Sequence, residues 1–241
     1  MTLANLSLPQ LSISLIPVLI VLIILWFWGL RVGHALYALA RMLLQLLLIG
    51  YALIFIFQAE ASPVVLGVLT IMLLASSWIA LNTVEPGQRA RLFSASLLSI
   101  AIGGGLTLAL ITQGVLQLDP WYEPRFMIPL AGMIFANSMT GISLAADRLQ
   151  VELNNGSTAD QARLTAYQTS MIPVINSLLA VGLVSLPGMM TGQILSGVSP
   201  FIAARYQIMV MCMIFGSTGI STALFLYWSG RRQGVVKQRC Q

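Results

Sequence analysis

Side chains able to hold a metal, relay a proton or act as a nucleophile are scarce in this 241-residue chain. The seven carboxylates are Glu60, Glu85, Asp119, Glu123, Asp147, Glu152 and Asp160, and the only histidine is His34. Cys212 and Cys240 have no disulfide framework or metal-ligand spacing; they read as an inert apolar residue and a free thiol near the end of the chain. A nucleotide-binding P-loop needs a lysine directly after glycine, to reach the phosphates. The only lysine, Lys237, follows Val236, so ATP chemistry would have to come from a separate subunit. Eight methionines (Met127, Met133, Met139, Met189, Met190, Met209, Met211 and Met213) invite a soft-metal path. Thioethers suit Cu(I) better than Fe(II), and methionine is also a flexible filler of apolar gaps, so packing is the simpler reading. No residue identifies a cargo or a metal site.

The elements that must position these groups follow from composition. The chain is 58% hydrophobic and 8% charged, against about 45–50% and about 25% in soluble domains. So few charges cannot cover a soluble globule of this size, whereas a lipid bilayer can cover its apolar surface. Spanning helices need about 20 mostly apolar residues. Seven stretches qualify: 11–30, 42–57, 64–81, 92–111, 127–144, 172–196 and 201–228. The first lacks a basic leader and a small-residue cleavage site, and reads as an uncleaved anchor. The expected fold is therefore all-α: one polytopic membrane domain, 1–241, with its N-terminus outside.

No expected span holds a carboxylate or histidine, which argues against a proton-coupled carrier and against an intramembrane metal enzyme. His34 falls in a connection and reads as a solvated residue. The net charge of +5 reflects topology rather than a nucleic-acid partner. Ten basic residues, Arg31, Arg41, Arg89, Arg91, Arg148, Arg163, Arg231, Arg232, Lys237 and Arg239, fall on one side of the seven-span arrangement. Arg125 and Arg205 fall on the other, ten and two making the twelve. The basic side is cytoplasmic by the positive-inside rule. Glu60, Asp119 and Glu123 are then external, placed either to receive a released cation or as ordinary solvated charges.

Two stretches stand out within this frame. The first is the cytoplasmic connection, about 147–170. Thr158 and Gln161 have capping-box spacing, and Gly156 suits the left-handed position that ends a preceding helix. Helix, glycine turn and helix, with Glu152 four residues before Gly156 and Pro173 downstream, resemble the coupling loop of ATP-binding cassette (ABC) permeases. The second stretch holds Pro187, Gly188, Met189 and Met190 inside the sixth apolar run. Pro187 is expected to kink or break that span, and Gly188 to supply a close backbone approach or a special φ. A gate, a cavity wall and a plain kink all fit. Asn137 lies within the fifth span, near a Gly132, Ala136 and Thr140 face suited to close packing. It reads as interhelical glue or as a substrate contact.

The stretch Gly182-Leu-Val-Ser-Leu-Pro-Gly-Met-Met-Thr-Gly192, with Tyr206-Gln-Ile-Met-Val210 beyond it, resembles the signature of the FetB-type iron-export permease family. Arg41, Gln45, Gly50 and Tyr51 agree with it, as do Ile128-Pro-Leu-Ala-Gly-Met-Ile134 and Ala136-Asn-Ser-Met139. The connection from Gly156 to Pro173 departs from the family pattern in being shorter and less basic. The resemblance implies an inner-membrane ABC permease, homodimeric, paired with two FetA-type ATP-binding subunits that hold ATP and magnesium. Iron or another metal ion is the implied cargo, and a nucleotide sugar is an alternative from plant relatives. A self-contained facilitator or secondary carrier is the other class that fits the residues.

The basic split predicts that Met1 faces the periplasm and Gln241 the cytoplasm. Reporter fusions active in only one compartment read this directly, and a cytoplasmic N-terminus would remove the seven-span arrangement.

Overall fold

The computed structural model describes residues 8–56 and 61–239; Glu60, Cys240, Met1 and Gln241 lie outside them. All regular structure among the described residues is helical. Six of these helices are long and apolar enough to cross a bilayer. The protein is a polytopic helical membrane protein. Its chain divides into two compact units, Met1–Gln58 and Ala59–Gln241.

In the first unit, α1 (Leu8–Ile13) and α2 (Ile16–Phe27) make one apolar stretch, followed by α3 (Val32–Ile56). Pro17 has no N–H to return to the preceding turn, and the backbone tightens at Ser14 and Leu15 before α2 begins. Neither α2 nor α3 buries a residue. Phe27, Trp28 and Leu47 stand open, an exposure that water penalises and lipid does not.

The second unit holds α4 (Ser62–Ile79), α5 (Pro86–Ala109) running into a π-helical turn (Leu110–Val115), α6 (Pro124–Asn154), α7 (Ala159–Ala180), α8 (Gly188–Leu195) and α9 (Pro200–Arg239). Proline opens α4, α5 and α6 at the first turn, where a missing N–H costs nothing. The middle of the unit is the contact of α9 with α5, α6 and α7. Ile100, Ile134, Ile142, Met213 and Phe225 are fully buried there, beside Ser138, Ser217, Ser221 and Thr222.

Small residues set how closely these helices approach. A Cβ on Gly103 would lie 2.5 Å from Ser221 Oγ and 2.8 Å from its backbone nitrogen. One on Gly104 would meet Ile134 Cγ2 at 2.8 Å, and one on Gly141 would meet Thr222 Oγ1 at 2.7 Å. Lipid tails are as apolar as leucine, so such packing is the main source of helix association here. The Gly132, Ala136 and Thr140 face is not where the helices pack most closely. Ala136 and Thr140 are exposed, and Gly132 approaches only Met72 Cε.

The expected sixth span, 172–196, is not one helix. α7 ends at Ala180, well before Pro187, and continues back to Ala159 as a single helix that passes Pro173. Val181 leaves the helix with ψ 130, and Gly182 takes φ +82. The Ala180 carbonyl gathers the N–H groups of Leu183, Val184 and Ser185 at 3.2, 2.8 and 3.1 Å, closing a compact turn. Pro187 is the residue before α8 rather than a kink inside a helix.

The glycine triplet of α5 gives a matched test. Gly103→Ala must push α9 away and is expected to cost about 1–3 kcal/mol by overpacking. A Cβ on Gly105 meets nothing within 4 Å, so Gly105→Ala is expected to be neutral or slightly stabilising. Thermal unfolding in detergent compares the two; equal midpoints would deny the close approach.

Candidate functional site

Between α6, α7 and α9 lies a cavity of about 240 Å³. α6 contributes Asn137, Thr140 and Gly141; α7 contributes Ser170, Pro173, Val174 and Ser177; α9 contributes Ile214 and Thr218. On each helix these positions recur three or four residues apart, the spacing of one helical face. Gly141 adds no side chain to fill the space. Pro173 lacks an N–H, so α7 lacks the helical bond to the Thr169 carbonyl. The lining carries no charge. It mixes hydroxyl and amide side chains with Pro173, Val174 and Ile214, and it is open on the side where Thr140, Pro173 and Ser177 are exposed.

Local hydrogen bonds fix these side chains. Asn137 Nδ2 donates to the Met133 carbonyl at 2.8 Å, Thr140 Oγ1 to Ala136 at 3.0 Å, and Ser170 Oγ to Tyr167 at 2.7 Å. Asn137 is therefore bonded within its own helix rather than across helices. Thr218 is 3% exposed, and its Oγ1 has no partner.

The connection between α6 and α7 forms a second feature. Asn155 caps α6, and Gly156 follows at φ +86. Ser157 N–H donates to the Glu152 carbonyl at 3.1 Å and Gly156 N–H to Leu153 at 3.3 Å, the paired bonds of a Schellman cap. The Glu152 carboxylate is held at 2.6 Å by Arg148 and accepts from Ser157 Oγ at 2.9 Å. Glu152 thus fastens the turn from within. Thr158 and Gln161 close a full capping box at the start of α7.

Pro187, Gly188, Met189 and Met190 are not part of the cavity lining. Gly188 begins α8 with nothing within 4 Å of where a Cβ would stand, and its φ is not positive. The close approach and special φ expected of it are absent, and Gly182 is the residue with the left-handed backbone. Met189 and Met190 are half-buried on α8. Met127, Met211 and Met213 are core residues, and none of the eight methionines lines the cavity. Cys212 is exposed on α9. Among the described residues no group of three His, Cys, Asp or Glu could hold a metal. Ser170, Ser177 and Thr218 were missed by sequence reasoning, and Thr140 was read only as part of a packing face; their signal is polar residues sharing one face of an apolar helix.

The model of the uncharacterised protein family UPF0014 matches residues 8–233. The chain belongs to this family. It is 33% identical to the probable iron export permease protein FetB of Escherichia coli, over 84% of this chain and 85% of that one. A UPF0014 membrane protein of Synechocystis is 37% identical over 79% of each chain. The protein ALUMINUM SENSITIVE 3 of Arabidopsis thaliana is 35% identical, covering 89% of this chain and 84% of its own. The resemblance to FetB-type permeases read from the motifs is thereby matched over most of the chain. The Synechocystis relative is named as a membrane protein and FetB as a permease, not an enzyme. No solved structure matches.

The turn after α7 yields a prediction. Gly182→Val places a β-branched residue at φ +82 and is expected to cost about 1–2 kcal/mol. Gly188→Ala is expected to be tolerated. Thermal unfolding and transport of the two variants check this, and the reverse order would return the role to Gly188.

Proposed function

We propose that this chain is the membrane-spanning permease subunit of an ABC exporter of the inner membrane. In this reading both units act as one permease domain, two copies pair, and each takes a FetA-type ATP-binding subunit. Iron or another metal ion is the cargo, by extension from the name of FetB. Fold and family support this assignment, but the observation that carries it is α7. One helix runs from the capped cytoplasmic turn to the cavity, so that Thr158 and Gln161 anchor its start while Ser170, Pro173 and Ser177 line the space. From Ala159 to Pro173 the distance is about 21 Å at about 1.5 Å per residue. A partner pressing on the turn would move the cavity wall directly. With no P-loop lysine in the chain, the ATP-driven push must come from outside it.

Energy transfer then depends on the angle held by Gly156. Gly156→Val is expected to strain a φ of +86 and loosen that angle, with insertion unchanged. Glu152→Ala removes the bonds to Arg148 and Ser157 but leaves the backbone cap, and is expected to be milder. Partly exposed ion pairs contribute about 0–1 kcal/mol. Export and cargo-stimulated ATP hydrolysis, measured with the partner subunit in proteoliposomes, should fall together. Normal transport by both variants, or transport by the chain alone, would favour the facilitator class.

A further inference from the structure

We propose that the contact of α9 with α5 and α6 is the closed form of the transport path. In the cycle α9 parts from Gly103 and Gly141, and the hydroxyls of Ser138, Thr218, Ser221 and Thr222 then face water and line the opening. This deepens the export reading and rests on it for what drives the parting.

The first observation is that these four hydroxyls are unspent. Each of the residues is at most 3% exposed, and each hydroxyl oxygen is buried without a hydrogen-bond partner. A helical serine or threonine has an acceptor within reach, the carbonyl one turn earlier. Ser217 and Ser229 of α9 use it at 3.2 and 3.3 Å, and so do Ser99, Thr107 and Thr112 of α5. The four exceptions gather at one seam. Ser221 Oγ lies against Gly103 and Thr222 Oγ1 against Gly141, 2.5 and 2.7 Å from where a Cβ would stand. Thr218 turns its methyl carbon to the same Gly141, 2.8 Å from that position, and Ser138 is one turn before it on α6.

The second observation is that water is not the missing partner. A gap with no room for a methyl group has none for a water molecule. Along its helix Gly103 is 17 residues from Pro86 and 12 from Val115, and Gly141 is 17 from Pro124 and 13 from Asn154. At about 1.5 Å per residue each end is ~18 Å away or more, which places the seam deep in a ~30 Å hydrocarbon core. Buried hydroxyls without partners weaken the state that holds them so. Packing at the two glycines closes the seam, and hydration of its hydroxyls favours opening it.

The third observation places the drive. Gly219, on the α9 turn that carries Thr218 and Thr222, approaches α7: a Cβ there would lie 3.2 Å from Tyr167 Oη and 3.5 Å from Met171 Cε. α7 is the helix that begins at the capped turn. Displacing α7 therefore bears on α9 at the height of the unspent hydroxyls.

The experiment uses the full chain in lipid nanodiscs, with Cys212→Ala and Cys240→Ala, and a charged, membrane-impermeant methanethiosulfonate as the probe of water. Ser138→Cys and Thr222→Cys report from the two sides of the seam. Ser77→Cys is the control, because the native Ser77 hydroxyl is buried and bonded to the Leu73 carbonyl. Ser138→Cys, the smaller change, decides where Thr222→Cys lowers the thermal midpoint. Both reporters are expected to be labelled at least about tenfold faster than the control, and faster still with the ATPase partner and ATP. Thr218→Val keeps the side chain's shape and removes a hydroxyl that only the open seam uses. It should leave the midpoint unchanged or raised, and slow labelling of both reporters about three- to tenfold. Protection of both reporters in every nucleotide state, or equal labelling of Ser77→Cys, would overturn the proposal. So would labelling unaffected by Thr218→Val, or a midpoint that this change lowers by about 3 °C or more. The export reading fails separately. Labelling of both reporters that neither partner nor ATP alters would leave the seam and sink ATP-driven transport. Hydrolysis stimulated by the chain while both reporters stay protected would do the opposite.

Discussion

Inside a bilayer a polar side chain has no water to bond, and this constraint organises the second unit. Ser99, Thr107, Thr112, Thr140 and Thr169 all return their hydroxyl protons to the carbonyl one turn earlier on the same helix. Those helices meet their neighbours with the hydroxyls already satisfied. The exception is the closest seam, where Gly103 and Gly141 leave no room for a methyl group and the Ser221, Thr218 and Thr222 hydroxyls of α9 are buried without a partner. Bonds across helices are fewer, such as Ser96 Oγ to the Ser77 carbonyl at 3.1 Å. The same donation that satisfies a helix also decides what it shows to a cavity, because an oxygen that has given its proton away can only accept.

Two kinds of information lay in the sequence, and they differ in how far they reach. The turn at Gly156 was legible because everything that makes it is local. Glu152, Ser157, Thr158 and Gln161 lie within nine residues of one another, and caps obey short-range rules. Apolar length was equally readable, so most of the spans emerge where hydropathy places them. The break in the sixth stretch was misplaced because proline is the louder signal. Pro187 sits where a helix is about to start, where it is harmless, while the turn is made by Gly182 and the Ala180 carbonyl. Asn137 was singled out as a polar residue in an apolar run. Its neighbours Ser170 and Thr218 could not be joined to it, since only the packing of three helices puts them around one space.

Coverage of the apolar turn after α7 follows the same physics. Leu183 is 90% exposed and Val184 85%, and they sit on an irregular backbone between two helices. Exposed leucine and valine are at ease in lipid. Exposed backbone N–H and C=O groups are not, and this turn answers by folding inward, with Gly182 N–H bonded to the Ser185 carbonyl at 2.9 Å and three donors converging on Ala180. The interruption is therefore compatible with a bilayer because its apolar side chains point outward while its polar backbone closes on itself.

A continuous α7 imposes a mechanical condition on any coupling between the turn and the cavity. A helix transmits displacement along its axis only as well as its own hydrogen-bond ladder resists bending, and Pro173 removes one rung of that ladder between the turn and Ser177. Below the proline, Ala162 and Ala166 are fully buried and bind the helix firmly to its neighbours. Above it, Ile175, Asn176 and Ser177 are exposed and the helix is freer. The proline thus separates an anchored half from a freer one at the wall of the cavity. A push at Gly156 would be carried rigidly to that point and released there as a change of angle.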